Sequence, residues 1–295
     1  MADHSGQGKA ALAALTGASL IGLAPIAIRL SEVGPNATNL WRFLFALPIL
    51  AAWAALSRPI PSGGQTLWLV LGGLLFGLEI SLWAVALNLT TVTNATLLVN
   101  LTPVFAALFG WLWLKERLSV PVLAGGTVVL VGAVTLALAR AQTGGGPAEA
   151  AAHGWIGDSI SLLGALFYAG YLMIVRTLGK NVSVGAVMFW ATLAAACVAA
   201  VISFALGEVM WPQTWFGWAM VIGLGLFVQL GGQGLIAYGV GRLPIVVSTV
   251  LLWMQPLVAA ALSWMLFDEA LSTAALFGAA LVLAGIYAVQ RSRAQ

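Results

Sequence analysis

Two charged side chains, Glu79 and Arg42, fall well inside long apolar stretches of this chain. A charge at bilayer depth costs about 2.5–3.5 kcal/mol on insertion scales, so each one needs a partner or a function. Counted along helices, Glu79 lies roughly 12 Å and Arg42 roughly 9 Å from the same edge of the apolar layer. The sequence therefore predicts an ion pair, an Arg42 side chain turned outward to water, or, chiefly for Glu79, ligand binding or proton coupling.

Aromatic rings and amides at similar depth are further candidates for binding. Glu79 and Trp83 are one helical turn apart, so an acid and an indole share a face. Gln229 and Gln233 also share a face, where hydrogen bonding between helices is the alternative role. The remaining ring candidates are Tyr168, Tyr171 and Tyr238, for which packing is an equal alternative. An acid, amides and rings together suit a zwitterion with an apolar side chain.

Two prolines mark a further pair of candidates. Asn100 and Trp253 each stand three residues before a proline, Pro103 or Pro256, in the middle of a predicted span. Proline removes a backbone hydrogen bond and bends a helix, which frees carbonyl groups for a ligand or water. Asn100 and Trp253 are therefore binding candidates, and Pro103 and Pro256, like Arg42, are structural or gating candidates.

The residues that catalysis or metal binding would use are scarce. His4 and His153 fall in flexible segments, and Cys197 is the single cysteine. Neither a catalytic cluster nor a thiolate metal site is predicted. Residues 6–10 contain the Gly-Lys pair of a phosphate loop but lack its upstream glycine and its Ser or Thr. We expect no enzyme activity, no metal and no cofactor.

Composition indicates that lipid surrounds these residues. Hydrophobic residues make up 61% of the 295 residues, charged residues 7%, and the mean hydropathy is +1.02. A water-soluble domain of this size would need a polar surface that this chain lacks. The net charge of +3 comes from twelve scattered Lys and Arg, which indicates membrane anchoring rather than a nucleic-acid partner.

Apolar stretches of about 20 residues, the length that a helix needs to cross a bilayer, occur ten times. They lie near residues 10–30, 36–56, 66–87, 92–114, 119–139, 155–176, 183–206, 215–238, 244–267 and 272–290. The predicted fold class is an all-α integral membrane protein with ten transmembrane helices.

The chain consists of two related halves. Residues 67–138 repeat as 220–291 at a constant offset of 153, which places Pro103 on Pro256. We expect one membrane domain, 1–295, built from a five-helix repeat (1–140), a linker (141–153) and a second five-helix repeat (154–295). An odd number of spans per repeat inverts the second copy, as in transporters with a site between their halves.

Loop charges predict the orientation. If the N-terminus is cytoplasmic, nine Lys or Arg fall inside and two fall outside. Cytoplasmic loops collect Lys and Arg. Both termini and the corner at 115–117 are therefore predicted to be cytoplasmic, and the matching corner at 268–269 to lie outside.

The two repeats resemble those of a known protein family. Two inverted five-helix repeats, each with a proline in its fourth helix and a glutamate just after that helix, are similar to the EamA branch of the drug/metabolite transporter superfamily. LWRFLFALP (40–48) and LLWMQPLVAAALSW (251–264) most resemble the YddG-type exporters of aromatic amino acids. The resemblance implies a monomeric exporter of small molecules in the bacterial inner membrane. Its cavity would be lined by helices 1, 3, 4, 6, 8 and 9.

Other functions stay open at this point. The main alternative is export of other amphipathic metabolites or cationic drugs. A membrane enzyme would need clustered Arg, His or acids near one face, and a channel would need a carbonyl filter or charged rings. The chain offers neither pattern. Nucleotide-sugar transport is also less favoured, because few basic residues lie within the spans to hold phosphates.

Overall fold

The computed structural model describes residues 4–86, 89, 98–99, 101–115, 119–141, 154–267 and 273–291. Within that part of the chain every regular element is a helix, which confirms the all-α prediction. The helices are α1 (His4–Ile21), α2 (Ala24–Arg29), α3 (Pro35–Leu56), α4 (Gly63–Ala86), α5 (Thr102–Leu114), α6 (Val120–Ala141), α7 (Gly154–Leu178), α8 (Val184–Ala205), α9 (Trp215–Gly223), a π-helix (Leu224–Gln233), α10 (Gly234–Val240), α11 (Ile245–Leu251), α12 (Met254–Phe267) and α13 (Thr273–Arg291).

Seven helical segments are long and apolar enough to cross a bilayer. They are Gly6–Ile28, Pro35–Leu56, Gly63–Ala86, Gly154–Leu178, Val184–Ala205, Trp215–Val240 and Ile245–Leu266. Three shorter apolar stretches, Thr102–Leu114, Val120–Thr135 and Leu276–Val289, lie within α5, α6 and α13. The count of ten spans therefore stays a prediction, and residues 142–153 of the expected linker lie outside the described residues.

Prolines stand at helix starts within the predicted spans. Pro25 in α2, Pro103 in α5 and Pro256 in α12 each fall within the first three residues of the helix. First-turn N–H groups have no acceptor within a helix, so proline loses nothing there. The expectation that Pro103 and Pro256 stand in the middle of a helix is corrected accordingly. Each one begins a new helix, and the turn at 252–253 separates α11 from α12.

The π-helix is a feature that the sequence did not predict, since 215–238 was expected to form one regular span. Its ten residues run without interruption from α9 into α10. π-helices of this length are rare, and most occur as single-turn bulges at functional sites. A Cβ added at Gly232 would lie 3.2 Å from the carbonyl oxygen of Gly17. The wide helix therefore packs directly against the backbone of α1.

Helices α6 and α13 pack against each other through glycines. A Cβ added at Gly132 would lie 2.7 Å from the carbonyl oxygen of Gly278, and one at Gly285 would lie 2.7 Å from that of Gly125. Gly125 and Gly132 stand at the repeat positions of Gly278 and Gly285, so the same contact is made twice. Close backbone approach gives dispersion energy that helices need in lipid, where hydrophobic burial supplies little.

Gly132→Ala should lower the free energy of unfolding by about 1–3 kcal/mol, because the new methyl group overlaps the backbone of α13. Gly126→Ala on the same helix is the matched control, since its Cβ would meet Val250 Cγ2 at an ordinary 3.7 Å. Thermal unfolding of both variants in detergent gives the comparison. Equal melting temperatures would contradict a stabilising role for this contact.

Two loops, 30–34 and 206–214, meet at one end of the bundle, which we name the acid-loop end. Glu208 accepts hydrogen bonds from the Asn36 amide nitrogen at 2.7 Å and from the Ala37 backbone N–H at 2.8 Å. These donors belong to the first turn of α3, whose N–H groups have no partner within the helix. A carboxylate from the second loop therefore caps a helix that follows the first loop.

Glu32 makes the reverse connection at the acid-loop end. It accepts from the backbone N–H groups of Gln213 and Thr214, at 2.8 and 2.9 Å, and from the Thr214 hydroxyl. Thr214 is itself the N-cap of α9, because its hydroxyl oxygen accepts from the Gly217 N–H. The hydrogen bonds from Thr214 and Gln213 lower the pKa of Glu32 below its ordinary value of 4.5.

The opposite end of the bundle carries basic residues, and we name it the basic-loop end. The Ser183 N–H donates to the Pro59 carbonyl at 3.2 Å, which joins the loops that contain Lys180 and Arg58. A third loop carries Arg242 and reaches the same end, where the Gly179 and Gly241 backbones touch. The two ends of the described bundle therefore differ in the sign of their loop charges.

The lowered pKa of Glu32 gives a signed pH dependence of stability. A carboxyl group with a depressed folded pKa adds stability above its unfolded pKa and loses it as the pH falls through the folded pKa. The contribution of Glu32 should be complete at neutral pH and disappear on the acid side of 4.5. Glu32→Gln should therefore be less stable at pH 7 and lose less on acidification. Parallel melting-temperature profiles between pH 7 and pH 3.5 would contradict this assignment.

Candidate functional site

A cavity of about 380 Å³ lies among helices of both halves of the chain. Its wall includes the α1–α2 break, the first turns of α3, the second half of α4, the start of α5, the middle of α7, the end of the π-helix and the α11–α12 break. Toward the basic-loop end the bundle is closed, since Ala10, Ala14, Leu172 and Val240 are fully buried there. The cavity therefore lies nearer the acid-loop end.

Eight residues singled out from the sequence line this cavity. The binding candidates among them are Glu79, Trp83, Tyr168, Gln233 and Trp253, and the structural or gating candidates are Arg42, Pro103 and Pro256. They come from separate helices, so packing rather than closeness in sequence brings them together. Their roles in binding or gating stay predictions.

The other four candidates are not among the described lining residues, and one of them, Gln229, contacts Arg42 instead. Tyr171 is buried and stacks on Phe76, with ring centroids 4.9 Å apart. Tyr238 lies at the basic-loop end, where the Arg242 Cζ atom stands 3.8 Å from its ring centroid. Asn100 lies outside the described residues.

Arg42 is fixed by a chain of buried hydrogen bonds. Its Nε donates to Gln229 Oε1 at 3.0 Å, and Gln229 Nε2 donates to Thr192 Oγ1 at 2.8 Å. All three residues are at most 4% exposed. Among the described residues this amide contact replaces the expected direct ion pair with Glu79, because the π-helix packs beside α3. The guanidinium has five N–H donors, so fixing Nε leaves the other nitrogens for the cavity that Arg42 lines.

Glu79 borders the same cavity from α4. Gly164 of α7 faces it, and a Cβ added there would lie 3.9 Å from Glu79 Cγ. A buried arginine and a half-buried glutamate thus border one cavity, and the contacts of the described residues include no direct pair between them. Such a site can bind a molecule that carries both charges, with its anionic group at Arg42 and its cationic group at Glu79.

Four aromatic side chains contribute to the described wall of the cavity. Phe76, Trp83, Tyr168 and Trp253 line the cavity, and the ring centroids of Phe76 and Tyr168 are 6.4 Å apart. Rings arranged in this way can stack on a planar apolar group. Among the described residues, no group of three His, Cys, Asp or Glu side chains could hold a metal ion.

Phe76 and Asn39 are among the lining residues that the sequence analysis missed. Phe76 lies one helical turn before Glu79, and Asn39 lies one turn before Arg42, so their spacing from a charge could have identified them. Asn39 Nδ2 donates to the Pro35 carbonyl at 3.1 Å, whereas its Oδ1 has no partner among the described residues. Gln233 Oε1 is likewise buried without a partner there.

The model of the EamA-like transporter family matches the chain over residues 8–138 and again over 155–291. The chain belongs to the EamA-like transporter family. Together with its long apolar helices, this membership identifies a multi-pass membrane protein. The cavity described above is the candidate binding site of this EamA-like transporter.

Curated relatives of the EamA-like chain are also transporters. It is 41% identical over 90 residues to an "Uncharacterized transporter" of Archaeoglobus fulgidus, which covers 29% of the chain and 30% of that relative. It is 29% identical over 202 residues to a "Probable terminal-alkyne amino-acid exporter" of Streptantibioticus cattleyicolor, covering 67% of the chain and 64% of the relative. It is 30% identical over 176 residues to human solute carrier family 35 member G1, covering 58% and 47%. The matched segments span less than two thirds of each relative.

The arrangement of the helices also matches a solved structure. A crystal structure superposes on the EamA-like chain with a TM-score of 0.78 at 23% identity, covering 96% of each chain. The likeness extends over the whole fold.

In this EamA-like transporter, Gln229→Leu should lower the free energy of unfolding by about 1–3 kcal/mol. Arg42 Nε and the Thr192 hydroxyl would both lose their partner in a buried site. Thr192→Val is the matched control and should cost less, because Gln229 still holds Arg42. Thermal unfolding compares the two variants, and a Gln229→Leu protein as stable as the parent would overturn this account.

Proposed function

We propose that this chain exports small amphipathic metabolites, with aromatic or hydrophobic amino acids as its main substrates. The observation that carries the proposal is the separation of two ionisable side chains, the buried Arg42 and the half-buried Glu79, on the wall of one cavity that aromatic rings also line. An α-amino acid has a carboxylate and an ammonium group on one carbon. Inserted between the two charges, it would supply the missing partner of each.

The other lining residues fit the side chain of such a substrate. Trp83, Tyr168 and Trp253 offer ring faces for an aromatic or aliphatic group. The unpartnered Asn39 Oδ1 adds a hydrogen-bond acceptor one helical turn from Arg42. The relative from Streptantibioticus cattleyicolor that is named as an amino-acid exporter supports the same substrate class.

Transport proceeds by alternating access through this cavity. Packing closes the bundle toward the basic-loop end, so this arrangement presents the cavity to the acid-loop end. The helix starts at Pro103 and Pro256 stand on the cavity wall, and the missing proline N–H makes them suitable pivots. Energy comes from the gradient of the substrate or of a coupled ion.

The membrane orientation follows from the two bundle ends. The basic-loop end faces the cytoplasm, because loops on that side collect Lys and Arg. Both termini are cytoplasmic, and ten helices cross the bacterial inner membrane as two inverted five-helix repeats, with one chain as the transport unit. The doubled glycine contact between α6 and α13 supports a twofold axis between the halves.

Export of cationic drugs is the second candidate. A carboxylate beside aromatic rings, as at Glu79 and Trp83, suits a cation. Arg42 on the same wall disfavours it, since a positive charge in the cavity repels a second one.

Counterflow in proteoliposomes that contain only this protein tests the proposal. Radiolabelled tryptophan should enter vesicles preloaded with unlabelled tryptophan, saturably and without chemical change. Glu79→Gln should reduce the rate at least about tenfold with a normal folded yield, because a charge-assisted hydrogen bond is lost. Glu32→Gln, which removes a carboxylate outside the cavity, should retain the flux. Uptake of a quaternary cation instead of any amino acid would overturn the proposal in favour of drug export.

A further inference from the structure

Gln233 Oε1 is a buried acceptor whose donor the described residues do not supply. The side chain is 3% exposed and belongs to the cavity wall. Nearly all buried polar groups in native proteins have a partner, because an unpaired one costs free energy comparable to a lost hydrogen bond. The position therefore suits a ligand that brings an N–H or O–H donor to this point of the cavity.

Gln233 lies nearer the basic-loop end of the bundle than Glu79 does. It stands seven residues before the end of α10 at the basic-loop end, whereas Glu79 stands sixteen residues after the start of α4 at that end. At about 1.5 Å per residue, the two positions lie roughly 14 Å apart along the bundle. The roughly 14 Å separates the backbones of the two residues. Because the side chains of Glu79 and Gln233 extend into the cavity, the distance between their polar ends is about the length of an aromatic amino acid.

Two aromatic residues stand between these positions. Trp253 lies eight residues after the start of α11, and Tyr168 lies ten residues before the end of α7, so both are intermediate in height. Both line the cavity. A planar ring stacked against either one presents its edge toward the ends of the cavity. The indole N–H and the phenol O–H are edge groups, and both are donors.

We propose that Gln233 selects substrates whose aromatic ring carries a hydrogen-bond donor, namely tryptophan and tyrosine, over phenylalanine and rings without a donor. Gln233 Oε1 accepts the ring N–H or O–H while Arg42 and Glu79 bind the zwitterionic end, so this inference rests on the proposed amino-acid transport. A site built to pair with a substrate donor rejects analogues that lack it, because its own polar group is then left unpaired.

The first arm of the test uses the unmodified protein and a matched ligand series. Binding is measured for tryptophan against benzothienylalanine, in which sulfur replaces the ring N–H, and for tyrosine against phenylalanine. Tryptophan and tyrosine should each bind at least about tenfold more tightly than the partner without the donor. Binding of both members of each pair within twofold would overturn the proposal.

The second arm replaces the acceptor without opening space. Gln233→Met keeps the length of the side chain but has no amide oxygen, so the preference for the ring donor should fall to twofold or less. Affinity for phenylalanine should stay the same or rise. Ser81→Ala is the matched control: its hydroxyl is also buried and unpartnered among the described residues, yet Ser81 is not a lining residue, so the preference should persist.

The outcomes separate this inference from the proposed function. If no amino acid binds, the proposed function fails and the role of Gln233 fails with it. If tryptophan and benzothienylalanine bind equally, only the role of Gln233 fails. A Gln233→Met protein that loses affinity for phenylalanine and tryptophan to the same extent assigns Gln233 to packing and overturns the proposal. If that variant does not fold, the ligand series on the parent protein still decides.

Discussion

The hydrogen bond from Arg42 Nε to Gln229 Oε1 holds a buried cation in place without neutralising it. A carboxylate in the position of Gln229 would have formed a closed ion pair and removed the positive charge from the cavity. The Gln229 amide orients the guanidinium without cancelling its charge. The hydroxyl of Thr192 in turn accepts a hydrogen bond from the amide and fixes its orientation. Glu79 is therefore left without a direct ion pair to Arg42, and the polar character of the site depends on this one contact between α3 and the π-helix.

The π-helix gives its two glutamines different surroundings. Gln229 turns to Arg42 and Thr192, whereas Gln233, four residues later, contributes to the cavity wall. A π-helix has more residues per turn than an α-helix, so residues four apart no longer project in the same direction. Gly17 and Gly232 allow α1 to approach this segment closely, so the cavity wall is built on backbone contact.

Much of the candidate site could be predicted because a polar or charged residue in an apolar span is conspicuous. Glu79 and Gln233 were chosen for that reason, Trp83 was chosen because it lies one helical turn from Glu79, and all three line the cavity. Asn39 was missed because the first turn of α3, PNATN, already contains two other polar side chains, so one amide there does not stand out. The contacts of Gln229 could not be predicted, since they depend on the direction in which its side chain leaves the helix. Packing between helices determines that direction. The same limit explains the Arg42 contact: depth along two helices does not fix which faces meet.

The carboxylates at the acid-loop end have a consequence for how the chain can be divided. The first turn of α3 relies on Glu208, which comes after the linker, and the N-cap of α9 relies on Glu32, which comes before it. For these N–H groups, each portion of the chain depends on an acceptor in the other portion. A fragment expressed alone would leave those N–H groups to water or headgroups. Two fragments expressed together would restore these hydrogen bonds only if they associated. The helix starts therefore need both portions of the chain in place, whether or not a peptide bond joins them.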